Sequence, residues 1–252
     1  MESSGTVATT TFTGAGDQSI SGSGSRFRFG NIVNNTGTLN VSSGLLTLRG
    51  DGTPVITGDP VAFNGGTTQV LDAPNETISV AVTVTNNSTV QVDGINSSGD
   101  KTIIDGNLTV DGGSFFDLNE SRRDNFQITG DVQIDGDLLL STDNNFNSGL
   151  EVGGNLNLGS SGTFSSSRQR VILNGSNAQS ITGPANVADL TFFDLEINNS
   201  SGVSISGGTA GVEQDLILTA GTFSPNGNLT LLSTLSGGAI SDAAITRTGG
   251  QI

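Results

Sequence analysis

Gly106-Asn107-Leu108-Thr109-Val110 and Gly130-Asp131-Val132-Gln133-Ile134 repeat one pattern: glycine, an asparagine or aspartate, an apolar residue, any residue, and a second apolar residue. Further copies are Gly136-Asp137-Leu138-Leu139-Leu140, Gly154-Asn155-Leu156-Asn157-Leu158 and Gly227-Asn228-Leu229-Thr230-Leu231, with Gln214-Asp215-Leu216-Ile217-Leu218 as a variant. Apolar residues two apart face the same side of an extended chain, so each copy predicts a short half-buried strand entered through a turn. The copies at 106 and 130 lie 24 residues apart and those at 136 and 154 lie 18 apart, which brackets the length of one solenoid coil.

The same alternation runs outward along the chain, as in Leu195-Glu196-Ile197 and Val203-Ser204-Ile205, with Asn, Ser, Asp and Gly clusters between the strands. No stretch has a helical period. A second motif, from Phe12 through Gln18-Ser19-Ile20-Ser21 to Gly22, matches Leu173 through Gln179-Ser180-Ile181-Thr182 to Gly183 at a constant offset of 161 residues. Strand positions near Leu195, Val203, Val212 or Leu216, Phe223 and Leu229 place about three short strands in a coil of roughly twenty residues. A set of β-sandwich domains would need longer strands, hairpin turns and a more aromatic core.

These features predict an all-β, right-handed parallel β-helix (β-solenoid) with degenerate turns of about 18–24 residues, forming one continuous unit over residues 1–252. Ten to twelve coils stacked about 4.8 Å apart make a rod of roughly 50–60 Å. Core positions are expected to include members of Phe115-Phe116 and Phe192-Phe193, with inward Asn or Thr in hydrogen-bonded ladders. Pro54, Pro60 and Pro74 cluster in residues 51–75, and proline cannot donate to a sheet ladder, so a protruding loop, insertion or irregular turn is expected there. The first thirty residues lack the charged and apolar regions of a signal peptide, and the chain stops at Thr248-Gly249-Gly250-Gln251-Ile252 in a repeat-like pattern, so a piece of a longer protein is expected.

Composition narrows the chemistry. The 252 residues include no Cys, His, Trp or Tyr. The commonest general base, thiol nucleophiles and the usual zinc and haem ligands are therefore missing. A formal net charge of −15, with Lys101 the one lysine, disfavours nucleic acid and anionic membrane surfaces. No apolar run approaches the ~20 residues of a membrane helix.

Carboxylates remain the main source of chemistry. Asp131, Asp135 and Asp137 are candidates for a paired-carboxylate glycan-cleaving site, although turn aspartates bonding their own backbone are the favoured reading. Arg122-Arg123, beside Glu120 and Asp124, reads as a solvated salt-bridged loop. Structural calcium would fit Asp143-Asn144-Asn145-Phe146-Asn147-Ser148-Gly149 best. Its glycine comes one position late, however, and Gly154 stands where a bidentate Glu is needed. Asn-x-Ser/Thr triplets at Asn34, Asn75 and Asn86 are expected by chance in so Asn-rich a chain, and no glycosylation is assigned. Thr83-Val84-Thr85 and Thr246-Arg247-Thr248 raise ice binding, but they do not recur once per coil. No catalytic, cofactor-binding or metal-ligating residue is assigned, and no cofactor is expected.

The Gly-Asn-Leu-x-Leu strand with the following Ala220-Gly221-Thr222-Phe223, the Gln-Ser-Ile-Ser/Thr-Gly turn and the strands ending in Asn-Asn resemble glycine-rich β-helix repeats. Such repeats occur in large secreted Gram-negative surface proteins, often type IX secretion cargo. The resemblance implies an extracellular or cell-surface stalk, fibre or adhesin segment and no enzyme. Its partners would be neighbouring segments of the same protein, identical copies end to end, or surface glycans. A recognisable signal peptide, sorting domain and binding module of that family are not found. Polysaccharide binding or cleavage and ice binding are the alternative functions.

Overall fold

A computed structural model describes residues 9–22, 26–35, 37–48, 54–93, 101–118, 125–140, 149–184, 190–226, 228–232 and 245–247. Within them the chain winds through three parallel sheets of eleven, ten and ten strands, and successive coils add one strand to each sheet in turn. The first sheet runs from Thr9–Phe12 to Ile245–Arg247, the second from Gln18–Ile20 to Phe223–Ser224, and the third from Arg26–Phe29 to Leu229–Leu231. No helix occurs among the described residues. The protein is a parallel β-solenoid, as the alternation predicts.

A representative coil comprises Lys101–Ile104, Leu108–Val110 and Phe115–Asp117. In the middle strand Leu108 and Val110 are buried and Thr109 lies outside between them. Parallel register then sets like on like. One file of the first sheet reads Ile32, Ile56, Ile78, Ile104, Ile128, Val152, Leu173, Ile197, Leu218, all at most 1% exposed. Burying each such side chain is worth about 1.5–3 kcal/mol, and the stack makes a continuous core without wide sheets. Phe116 and Phe192 are fully buried. Phe116 packs edge-on against Phe126 at 5.7 Å, and Phe192 packs against Phe164 at 5.5 Å.

Register partners lie 19 residues apart between Arg26 and Leu45 and 29 apart between Leu216 and Ile245, a wider spread at the upper end than 18–24. The strands after Gly106, Gly130 and Gly154 occupy the second sheet, 24 residues apart at each step. The strand Asp137–Leu139 belongs to the third sheet, so the 18-residue spacing compares two different sides of the coil. The repeated motif marks strand entry on any side, not one fixed rung position. The offset of 161 between Phe12 and Leu173 covers seven first-sheet steps, 23 residues per coil.

Residues 54–75, in the proline-rich stretch, carry the strands Pro54–Gly58, Val61–Phe63 and Thr68–Asp72 in the three ladders. Over residues 54–75 these paired strands stand where the prolines predict a protruding loop or insertion, and a register shift remains at the edge, Thr77 facing Pro54 while Ile78 faces Ile56. Proline at the first residue of a strand is compatible with pairing, because the donor it lacks falls at the ladder's end.

Candidate functional site

The second sheet shows why the motif begins with glycine and then an amide or carboxylate. Asn107 Oδ1 accepts the backbone N–H of Asp131 at 2.8 Å, Asp131 Oδ1 accepts that of Asn155 at 2.6 Å, and Asn155 Oδ1 accepts that of Ser180 at 2.8 Å. Asp17 does the same for Thr38 at 2.8 Å. Each side chain thus ties the entry of its strand to the coil above, and either Asn or Asp supplies the acceptor. The preceding glycines stack through Gly130 N–H to Gly106 O at 3.0 Å and Gly154 N–H to Gly130 O at 2.9 Å. A Cβ at Gly130 would lie 2.7 Å from Gly106 O.

The three candidate carboxylates are therefore occupied structurally. Asp131 belongs to this ladder, Asp135 Oδ1 accepts from Gln133 Nε2 at 3.0 Å, and Asp137 Oδ1 accepts the Thr163 hydroxyl of the next coil. Asp135 and Gly136 alone separate two strands, and both their backbone N–H groups donate to Val110 O, at 2.8 and 2.9 Å. This corner is held by backbone, but the aspartate side chains bond other side chains and the next coil and not their own backbone, as turn aspartates would.

Arg122-Arg123 with Glu120 and Asp124, the loop segment 143–148, Gly227 and Thr248 lie outside the described residues. Among the described residues no group of three or more Asp or Glu side chains is placed to hold a metal ion. Asn34 is fully buried and donates to Gly37 O at 2.8 Å. Asn75 and Asn86 sit at positive φ in turns, where Asn75 accepts the Lys101 N–H and Asn86 donates to Asn64 O. Thr83 faces outward in a file with Ala62, Thr109, Gln133 and Asn157, so threonine does not recur rung by rung.

The outer face of the first sheet carries the charges. Lys101 Nζ reaches across one intervening coil to Glu151 Oε2 at 2.9 Å, and Arg170 Nη1 meets Glu196 Oε2 at 3.1 Å. Glu151 also accepts Asn174 Nδ2 at 3.0 Å, and Glu196 accepts the Thr219 hydroxyl at 2.8 Å. Partly exposed pairs of this kind add about 0–1 kcal/mol each, so they set a pattern on the face more than they hold the rod. At the start of the same strands Asp194 is buried beside Asp215 and Arg170. Loss of solvation raises its carboxyl above the ordinary value of 3.8, against the lowering effect of the Asp215 N–H that it accepts.

Sequence patterning alone did not single out the buried polar network. Gln179 donates to Val152 O and Gly154 O and accepts the Gly175 N–H and the Asn199 amide, so every polar group of its side chain is engaged. The signal was present in the Gln-Ser-Ile motif, whose glutamine stands where an apolar residue is expected. Beside it, Gln179, Ser201, Ser204, Thr222 and Ser224 line a shallow groove of ≈ 200 Å³ that carries hydroxyls and amides and no ionised group. No protein-family model, no curated protein and no solved structure matches this chain.

Proposed function

We propose that the protein is an extracellular structural or adhesive scaffold, a stalk or fibre segment of a larger bacterial cell-surface protein. The observation that carries this reading is the use of polar side chains as ties between coils. Asn107, Asp131 and Asn155 each hold the backbone of the coil above, Asp137 takes the Thr163 hydroxyl of the next coil, and Asp135 is held within its own corner by Gln133. Ten steps along the eleven-stranded first sheet make a rod of about 48 Å. Stiffness along that axis comes from the thirty-one short strands among the described residues, which pair with their neighbours in adjacent coils. The repeats that resemble secreted Gram-negative surface proteins supply the extracellular setting, and neighbouring segments, identical copies end to end or surface glycans are the partners.

The test is a panel of soluble glycans and insoluble polysaccharides incubated with the purified chain, with and without calcium, scoring retention and release of reducing ends. Retention without release supports an adhesive segment, and neither retention nor release supports a passive stalk. Release of reducing ends overturns the scaffold reading.

A further inference from the structure

The coil uses asparagine for its side-chain ties and glycine where two coils come closest, and at two described corners these demands fall on adjacent residues. Asn64-Gly65 and Asn174-Gly175 are two of the three Asn-Gly pairs in the sequence; the third, Asn226-Gly227, includes a residue outside the described set. Asn64 donates from Nδ2 to Asn40 Oδ1 at 2.7 Å and accepts the Ser42 hydroxyl at 3.0 Å. Asn174 donates to Glu151 Oε2 at 3.0 Å. A Cβ on Gly65 would lie 2.6 Å from the Ser42 carbonyl carbon, and one on Gly175 would collide with the Gly153 carbonyl oxygen, so neither glycine can take a side chain in place.

Asn-Gly is the dipeptide most open to self-modification, because glycine leaves the following amide nitrogen unshielded. That nitrogen attacks the asparagine Cγ, the new N–Cγ bond closes a succinimide, and Nδ2 departs with the glycine N–H proton as ammonia. Water then opens the ring to aspartate or isoaspartate, and isoaspartate inserts an extra backbone carbon into the corner. The attack needs a free amide N–H and a side chain able to swing its Cγ onto that nitrogen.

The first requirement is blocked at both corners by the same device. Gly65 N–H donates to Gln69 Oε1 at 3.3 Å and Gly175 N–H donates to Gln179 Oε1 at 2.8 Å. Each glutamine stands four residues after its glycine and is at most 4% exposed, and its Nε2 is anchored to a carbonyl of the coil below, Val41 for Gln69 and Val152 for Gln179. We propose that Gln69 and Gln179 are clamps that suppress succinimide formation at Asn64-Gly65 and Asn174-Gly175, two latent deamidation sites.

The test is site-resolved isoaspartate formation during incubation of the folded chain at mildly alkaline pH, comparing wild type with Gln69→Met, Gln179→Met and Gln179→Glu. Loss of one hydrogen bond of ordinary strength predicts a threefold to tenfold faster reaction, roughly, at Asn64 alone in Gln69→Met and at Asn174 alone in Gln179→Met. Gln179→Glu keeps an acceptor for the Gly175 N–H and should stay nearer the wild-type rate. Unchanged rates in both Met variants would overturn the proposal, as would equal acceleration at both sites in either one, the mark of general loosening. Wild type compared with its urea-unfolded form gives a second measurement free of any folding defect. At least about tenfold slower reaction at both sites in the folded chain is expected, and equal rates would overturn the proposal.

Discussion

Asn199 donates from Nδ2 to Gln179 Oε1 at 2.8 Å, joining two buried amides on successive coils beside a largely apolar core. Asn199 also donates to Asn177 O at 2.7 Å and accepts the Ser201 N–H at 2.8 Å. A buried polar group is tolerated only when its partners are complete, and here they are.

Asn199→Ala removes three hydrogen bonds and leaves Gln179 Oε1 with one donor. We expect a loss of about 2–3 kcal/mol, the usual effect of stranding buried polar groups. Native-state hydrogen exchange should locate it in the coils around residues 175–205 and leave protection near residues 101–140 unchanged, since repeats couple mainly to their neighbours.

At Asp131 the side-chain acceptor matters and the charge does not. Asp131→Asn should fall within about 0.5 kcal/mol of wild type, because an amide oxygen can still accept the Asn155 N–H. Asp131→Ala should cost about 1–2 kcal/mol. Urea titration monitored by far-UV circular dichroism distinguishes them, and equal stability of all three chains would contradict the ladder.

Two glycines at different corners of adjacent coils should respond differently to alanine. At Gly130 the added carbon would sit 2.8 Å from the Gly106 carbonyl carbon, so Gly130→Ala must push two coils apart and should cost about 1–3 kcal/mol. At Gly112 the nearest atom is Asp135 O at 3.8 Å, so Gly112→Ala should be within about 0.5 kcal/mol of neutral. Thermal denaturation of the two variants side by side checks this.

Asp194 gives the fold a pH dependence of definite sign. Its carboxyl is raised in the folded chain, chiefly by loss of solvation and then by Asp215, with Arg170 and the Asp215 N–H opposing. The folded chain therefore binds a proton at a pH where the unfolded chain has already released it, and stability from this group falls as pH rises from near 3.8 through the folded value. Asp194→Asn should stabilise the protein at neutral pH, with the advantage vanishing as pH drops toward 3.8. Paired urea titrations at neutral and acid pH measure it; an advantage that grows on acidification would contradict the assignment.

Much of this architecture is legible in the order of residues. Period-two apolar pairs such as Leu108 and Val110 can bury only one side of an extended segment, and glycine-rich turns at coil intervals leave stacking as the way to cover that side. The 161-residue offset likewise carries the mean coil length, since the two copies occupy equivalent strands seven coils apart. Which side of the coil each copy occupies is not written locally. Leu138 and Leu156 follow the same Gly-Asp/Asn signal yet enter different sheets, because side is set by counting strands through corners as short as Asp135-Gly136. The partners of Gln69, Gln179, Asn199 and Asp194 were equally hidden in the sequence. The partners that join one coil to the next lie 20 or more residues away, and polar residues with identical local patterns become core ties or surface groups according to what the next coil offers. Sequence alone pointed to a stacked, parallel coil of strands, because short alternating strands between glycine-rich turns bury their apolar side most simply on the next coil; tertiary structure decided which polar atoms meet, because register between coils exists only after they stack.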